Sequence, residues 1–436
     1  MLTKTVKIVL ILAGVVIVVI IVVVPLAIHL MRRKKVDSSK ASFYSEYVYS
    51  NAFCQIGCSI DPFEADPYPL IVLANTNTFL YPNPGEKILR FKVNQRVDFI
   101  CPGGGVNVGS LETDNGVLTG TCKKGTSFKI KRKTLDSSEI RCRTPILRDI
   151  RATGNRCSWF DRGQELEVGF IVEDGRFLRT LSICFNQAKQ LSEFTYIEQT
   201  PSINQQILGT PRPPWLQGSG IYNIKGTISN LYLKKNQRTT INRLLGLPDK
   251  STKYIKNTGD YFLARGHLTA RSDFFYAAQQ NATFYMQNIA PQWQTFNSRN
   301  WNQIEADVRN YAAASGVNLH VWTGVHGITT LPHEKTGLPT QLYLFVNETS
   351  KLIPVPEIFW KAVYNPKTER GVCLIGVNNP YQETFSPICP DISKDIDWLH
   401  CDRTSQKRGF CYACNLTAIR FAMPILPRIT DRGLLL

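Results

Sequence analysis

The residues best suited to chemistry stand between Tyr261 and Glu305, in YFLARGHLTARSDF and, further on, ATFYMQNIAPQWQTFNSRNWNQIE. Arg265-Gly266-His267 sets a cation and an imidazole two residues apart. On an extended strand such residues share a face, so both can address one anionic group. Gly266 between them would let a ligand backbone approach closely. Downstream, Asn297, Trp301 and Glu305 are spaced i, i+4, i+8 on an expected helix. That spacing puts Asn297 and Glu305 near one stripe, about 12 Å apart along the axis. Glu305 leans back toward Asn297 but is too distant to share an ion directly, so it suits hydrogen bonding to the water of a bound ion. Spacing alone leaves a plainer reading open: an N-cap, a core aromatic and a surface acid.

These blocks resemble the active-site signature of the DNA/RNA non-specific endonucleases, the ββα-metal (His-Me finger) class that includes mitochondrial endonuclease G. The likeness is nearest to secreted invertebrate digestive and duplex-preferring nucleases. ARGHLTARSDF is similar to the family's D-R-G-H motif, ATFYMQNIAPQ to A-T-F-x-x-x-N-x-x-P-Q, and FNSRNWNQIE to F-N-x-x-x-W-x-x-L-E. The likeness extends over most of residues 50–425. It implies His267 as general base, Asn297 as the protein ligand of one Mg²⁺ (Mn²⁺ or another divalent ion being the alternatives), and Glu305 orienting metal-bound water. Asn288 would hold strand and helix in register and assist at the site, and Arg265 would neutralise the phosphate. Mg²⁺ takes oxygen ligands and keeps its waters, so one amide oxygen can suffice. Where the family often carries Asp, this chain has Ala264.

The elements that position these residues read as α+β. Alternating runs such as Ile88-Leu-Arg-Phe-Lys-Val, Ser127-Phe-Lys-Ile-Lys-Arg and Leu166-Glu-Val-Gly-Phe-Ile-Val indicate a small antiparallel β domain with seven of the twelve cysteines over 53–195. Thr210-Pro-Arg-Pro-Pro-Trp reads as a linker or a loop leading into the next domain. Residues 196–425, with further strands at Gln341–Val346 and Phe359–Tyr364 and a helix near 297–315, form the expected nuclease domain, followed by a tail over 426–436. Cutting both DNA and RNA, double-stranded RNA included, requires contacts with phosphate rather than base edges or the 2′-hydroxyl. Candidates are Lys234, Lys235, Arg238, Arg243 and Arg271, whereas Phe128–Lys133 reads as a solvated basic face. Trp293 and Trp301 read as core.

The net charge of +17 favours polyanionic partners, and a charged fraction of 19% is too low for a disordered chain. Residues 1–35 read as a signal anchor or transmembrane helix with basic flanks. The apolar run Ile8–Met31 has 24 residues, a spanning length rather than a signal-peptide core. A polar linker over 36–52 follows. Charge does not orient the segment, because Lys4 and Lys7 oppose Arg32, Arg33, Lys34 and Lys35. Twelve cysteines behind such a leader read as a disulfide framework. The competing zinc reading rests on Cys389, Cys401, Cys411 and Cys414, of which only the last pair has C-x-x-C spacing. Sequons at Asn281, Asn347 and Asn415 agree with an extracytoplasmic body, type II membrane-anchored or secreted. Two other functions are weighed: a non-catalytic nucleic-acid receptor on this scaffold, and an intracellular endonuclease G-like apoptotic nuclease. The first would lack His267 or Asn297. The second would carry few cysteines.

Overall fold

A computed structural model of the chain describes residues 56–62, 67–108, 116–157, 163–426 and 429–436. The expected anchor, the polar linker and Cys54 lie outside the described residues. Among the described residues no helix is long and apolar enough to cross a membrane.

The first part is antiparallel β. Its five-stranded sheet runs in the order Leu70–Leu73, Arg96–Ile100, Val117–Lys124, Ser127–Ile130, Lys133–Asp136. In Ser127–Ile130 the alternation works as the pattern requires: Phe128 and Ile130 are buried and Lys129 is exposed. Phe128 packs edge-on against both Phe91 and Phe99. Cys58–Cys122 and Cys101–Cys142 close long loops across this core.

The centre of the molecule is an eight-stranded antiparallel sheet. In spatial order its strands are β1 (Asp149–Arg156), β2 (Gly163–Ile171), β3 (Phe177–Asn186), β4 (Leu191–Gln199), β7 (Leu319–His326), β8 (Ile358–Asn365), β9 (Arg370–Val377) and β10 (Cys411–Cys414). β4 runs straight through residues 195 and 196, where the sequence placed a domain boundary, and pairs with β3 on one side and β7 on the other. Alternation identifies a strand but does not name its partner, so a cysteine-rich segment and a cysteine-poor one were separated although their strands share one ladder.

Both faces of the sheet are covered, and β8 is buried along its whole length. Phe359 and Val363 join the core beneath the site, whereas Trp360, Ala362 and Tyr364 join a second core under α4 (Leu416–Ala422). The cysteines near the C-terminus are disulfides rather than zinc ligands: Cys389 pairs with Cys414 and Cys401 with Cys411. With Cys157–Cys184 they complete five bridges among the described residues, and Cys373 is buried and free.

Candidate active site

A two-stranded antiparallel hairpin lies outside the large sheet: β5 (Leu263–His267) against β6 (Ile289–Trp293). Arg265 and His267 sit two residues apart on β5, both half-buried, and line the same cleft. Packing by itself requires the glycine at position 266. A Cβ there would come within 2.3 Å of Gln292 Oε1 and 2.4 Å of Gln292 Cβ. Gln292 faces Ala264 across the ladder, and among the described residues both polar atoms of its buried amide lack partners.

His267 is packed between Trp215, with ring centroids 4.9 Å apart, and Phe284, 5.2 Å away edge-on. Burial among these rings is the main cause that pushes its pKa down to about 3, and the nearby Arg212 and Arg271 add repulsion. The imidazole is therefore neutral at physiological pH. Its Nε2 lies 3.5 Å from Thr283 Oγ1, and that hydroxyl donates to the Gln280 carbonyl at 2.8 Å. A hydroxyl has one proton, so Thr283 can only accept from His267. Nε2 then carries the hydrogen and Nδ1 keeps the lone pair. Asn288 stands behind this arrangement, fully buried. Its amide donates to the Thr269 and Thr283 carbonyls and accepts from Thr269 N–H. It clamps the chain after His267 to Thr283 and does not line the cleft.

The helical run after β6 begins at Gln294–Phe296, widens into a π turn over Asn297–Trp301, and continues as α3 (Asn302–Ser315). Such widened turns often mark functional positions. Phe296 and Trp301, both fully buried, pack on Phe359 of β8 and fix this turn to the sheet. Side chains larger than hydrogen at Gly376 or Gly409 would collide with Phe296, at 2.4 and 2.6 Å. Asn300 donates to the Asp402 and Gly409 carbonyls, tying the turn to the Cys401–Cys411 loop.

So anchored, Asn297 turns its Nδ2 to Gln294 Oε1 at 3.0 Å. Among the described residues its Oδ1 has no hydrogen-bond partner. Glu305, one turn into α3, has a pKa raised to about 7, chiefly by burial and then by Asp273, while Lys361 and Arg309 oppose the shift. Lys361 is buried in β8, donates to Thr323 Oγ1 at 2.6 Å and lies 5.8 Å from the Trp301 ring. No pattern in the residues around Lys361 places a lysine beneath the helix.

His267, Arg265, Asn297, Glu305 and Arg271 thus line one cleft of about 570 Å³, along with Arg212, Trp215 and Gln294. Arg265 reaches Ser229 Oγ at 2.8 Å, and Arg271 bonds the Thr210 carbonyl and hydroxyl. The candidate cations Lys234, Lys235, Arg238 and Arg243 lie on a helix, α1 (Lys234–Leu245), of which only Lys234 approaches, its Nζ 4.2 Å from the ring of the cleft residue Phe262. Arg238 and Arg243 are bonded to the Ile255 and Val346 carbonyls, and Lys235 is exposed outside the cleft. Arg212 and Trp215 come from the segment read as a linker. Its single aromatic and single cation among prolines were the available signal.

Residues 162–418 match the family described as DNA/RNA non-specific endonuclease. Over 315 residues the chain is 29% identical to a salivary endonuclease of Lutzomyia longipalpis, spanning 71% of this chain and 67% of that protein. It is 23% identical over 391 residues to the salivary protein Tsal2A of Glossina morsitans morsitans, spanning 87% of this chain and 94% of that one. A crystal structure of the EndoG/EndoGI complex is similar at 20% identity and a TM-score of 0.32, over 46% of this chain and 71% of that chain.

Proposed function

The chain belongs to the DNA/RNA non-specific endonuclease family, and from that premise we propose that it hydrolyses internal phosphodiester bonds of DNA and RNA, with neutral His267 as the base. The observation that carries this reading is the single cleft shared by His267, Asn297 and three arginine side chains. The guanidinium groups of Arg212, Arg265 and Arg271 attract a phosphate and leave base edges unread, which suits a substrate range covering both nucleic acids.

Thr283 keeps the proton on Nε2, so Nδ1 is the atom that accepts a proton from water as oxygen bonds to phosphorus and the P–O bond to the leaving oxygen breaks. A base held near a pKa of 3 is weak. A bound phosphate offsets the charges of Arg212 and Arg271 and raises that value toward the working range, so His267 gains basicity as substrate arrives. Arg265 neutralises charge building on the phosphate oxygens. Trp215 and Phe284 exclude water from the other faces of the imidazole.

Asn297 Oδ1 fits a hard, hydrated divalent ion such as Mg²⁺ or Mn²⁺: it is a free oxygen donor, and its amide is oriented by Gln294. When bound, such an ion supplies charge stabilisation at the phosphate and the leaving oxygen. Glu305 would hydrogen-bond its water shell, and buried Lys361 and Arg309 favour the ionised carboxylate for that role.

We read the finer architecture as a ββα-metal unit formed by β5, β6 and the helical run, preceded by a smaller β unit bridged by Cys58–Cys122 and Cys101–Cys142. Five disulfides persist in an oxidising compartment, so the body acts outside the cytosol.

The test is incubation with plasmid, single-stranded DNA and double-stranded RNA in Mg²⁺ or in EDTA. All three are cut in Mg²⁺ and none in EDTA. Tight binding without cutting in any divalent ion would replace this reading with that of a receptor.

A further inference from the structure

A second cleft, of about 580 Å³, adjoins the first across the ridge formed by residues 210–215, and Tyr68, Ile146, Leu208, Pro211, Pro213 and Ala278 supply its apolar walls. We propose that it is a nucleobase subsite, holding the base of a nucleotide next to the scissile phosphate. The proposal rests on the reading above that the phosphate lies beside His267.

The ridge is built to divide the two clefts. Pro211, Pro213 and Pro214 fix its backbone, and Arg271 pins it through the Thr210 carbonyl and hydroxyl. Trp215 faces the catalytic side, against His267, while Pro211 and Pro213 face the other. Arg212 lines both clefts, is exposed, and among the described residues makes no hydrogen bond or ion pair.

A polar, arginine-lined cleft, a free guanidinium and an apolar cleft therefore follow one another in sequence. A nucleotide strand repeats the matching series, a charged phosphate followed by a base with two apolar faces. With a phosphate bridged by Arg212, the neighbouring base reaches the second cleft, where Tyr68 and the prolines offer stacking and apolar contact. The volume falls within the range of small-ligand sites. Contact with base faces is tolerant of sequence, because every base has a π face, so this subsite strengthens binding without imposing specificity.

The experiment uses the wild-type protein and a set of oligonucleotides in which one base at a time is replaced by an abasic residue, with cleavage at each phosphate read on a sequencing gel. We expect a window at a fixed offset within about two nucleotides of the cut, in which base removal slows cleavage about tenfold. Ala277→Trp, which fills the second cleft from the first turn of α2 (Ala277–Ala282), should slow cleavage of the intact oligonucleotide and erase the window. Cleavage indifferent to the abasic position, or a window that persists in folded Ala277→Trp, overturns the subsite while leaving the nuclease reading intact. Absence of cutting at every phosphate would instead sink the nuclease reading itself.

Discussion

Thr283 Oγ1 stands 3.5 Å from His267 Nε2 while giving its only proton to the Gln280 carbonyl, so a buried hydroxyl selects which imidazole nitrogen is free. Thr283→Val keeps the volume and removes the lone pair. A long hydrogen bond of this kind contributes about 1 kcal/mol, so kcat should fall about fivefold, with Thr283→Ser retaining most activity. Nitrogen-15 NMR of the imidazole should find the Nε2–H tautomer in the wild type and a mixture in Thr283→Val. The Nδ1–H tautomer in the wild type would refute the assignment.

Two groups lining the cleft should give opposite pH dependences of stability. His267 has its pKa lowered to about 3, so the fold favours the neutral ring. That contribution is complete above the ordinary imidazole value near 6.5 and is lost as pH falls toward 3. Glu305 has its pKa raised to about 7, so its contribution is complete below the ordinary carboxylate value and is lost as pH rises through 7. In EDTA, melting temperature should therefore fall less from pH 7 to pH 4 in His267→Gln than in the wild type. Glu305→Gln should melt above the wild type at pH 8 and not at pH 4. Parallel pH curves for variants and wild type would contradict both shifts.

Gly266 separates a packing requirement from a ligand requirement. Gly266→Ala drives a methyl group into Gln292, and overpacking of this kind costs about 1–3 kcal/mol. Adding Gln292→Ala should recover most of that stability, since it also removes a buried amide without partners. Chemical denaturation of the single and double variants decides the matter. Unchanged stability with lost activity in Gly266→Ala would return the glycine to a role in ligand approach.

Local patterns carried much of this architecture and tertiary pairing carried the rest. The strand period exposed Arg265 and His267 as one pair, and the helical period placed Asn297 and Glu305 on one run, because both depend on neighbours within a few residues. Trp293 and Trp301 were legible as core for the same reason, and both are fully buried. Arg212 and Trp215 were hidden because a proline-rich segment has no period to read. It looks like a linker until Arg271 and His267 are placed against it. Thr283 lay inside a recognised motif, yet its contact depends on a hairpin that brings Ile289 opposite His267. Lys361 sits mid-strand among apolar residues, and only the packing of α3 above β8 reveals what its charge faces. The cations of α1 mostly serve the fold rather than the cleft. Arg238 and Arg243 bond carbonyls of adjacent loops, an outcome that charge counting does not anticipate.

The central claim is that an imidazole from the hairpin and an amide oxygen from the helical run act on one phosphate. Single-turnover cleavage of supercoiled plasmid by His267→Ala, Asn297→Ala and the double variant measures it directly. Groups that serve one transition state are strongly non-additive, so each single variant should lose at least about a hundredfold, and the double variant should be scarcely slower than the worse single. Wild-type rates in folded His267→Ala, or losses that simply multiply in the double variant, would contradict it.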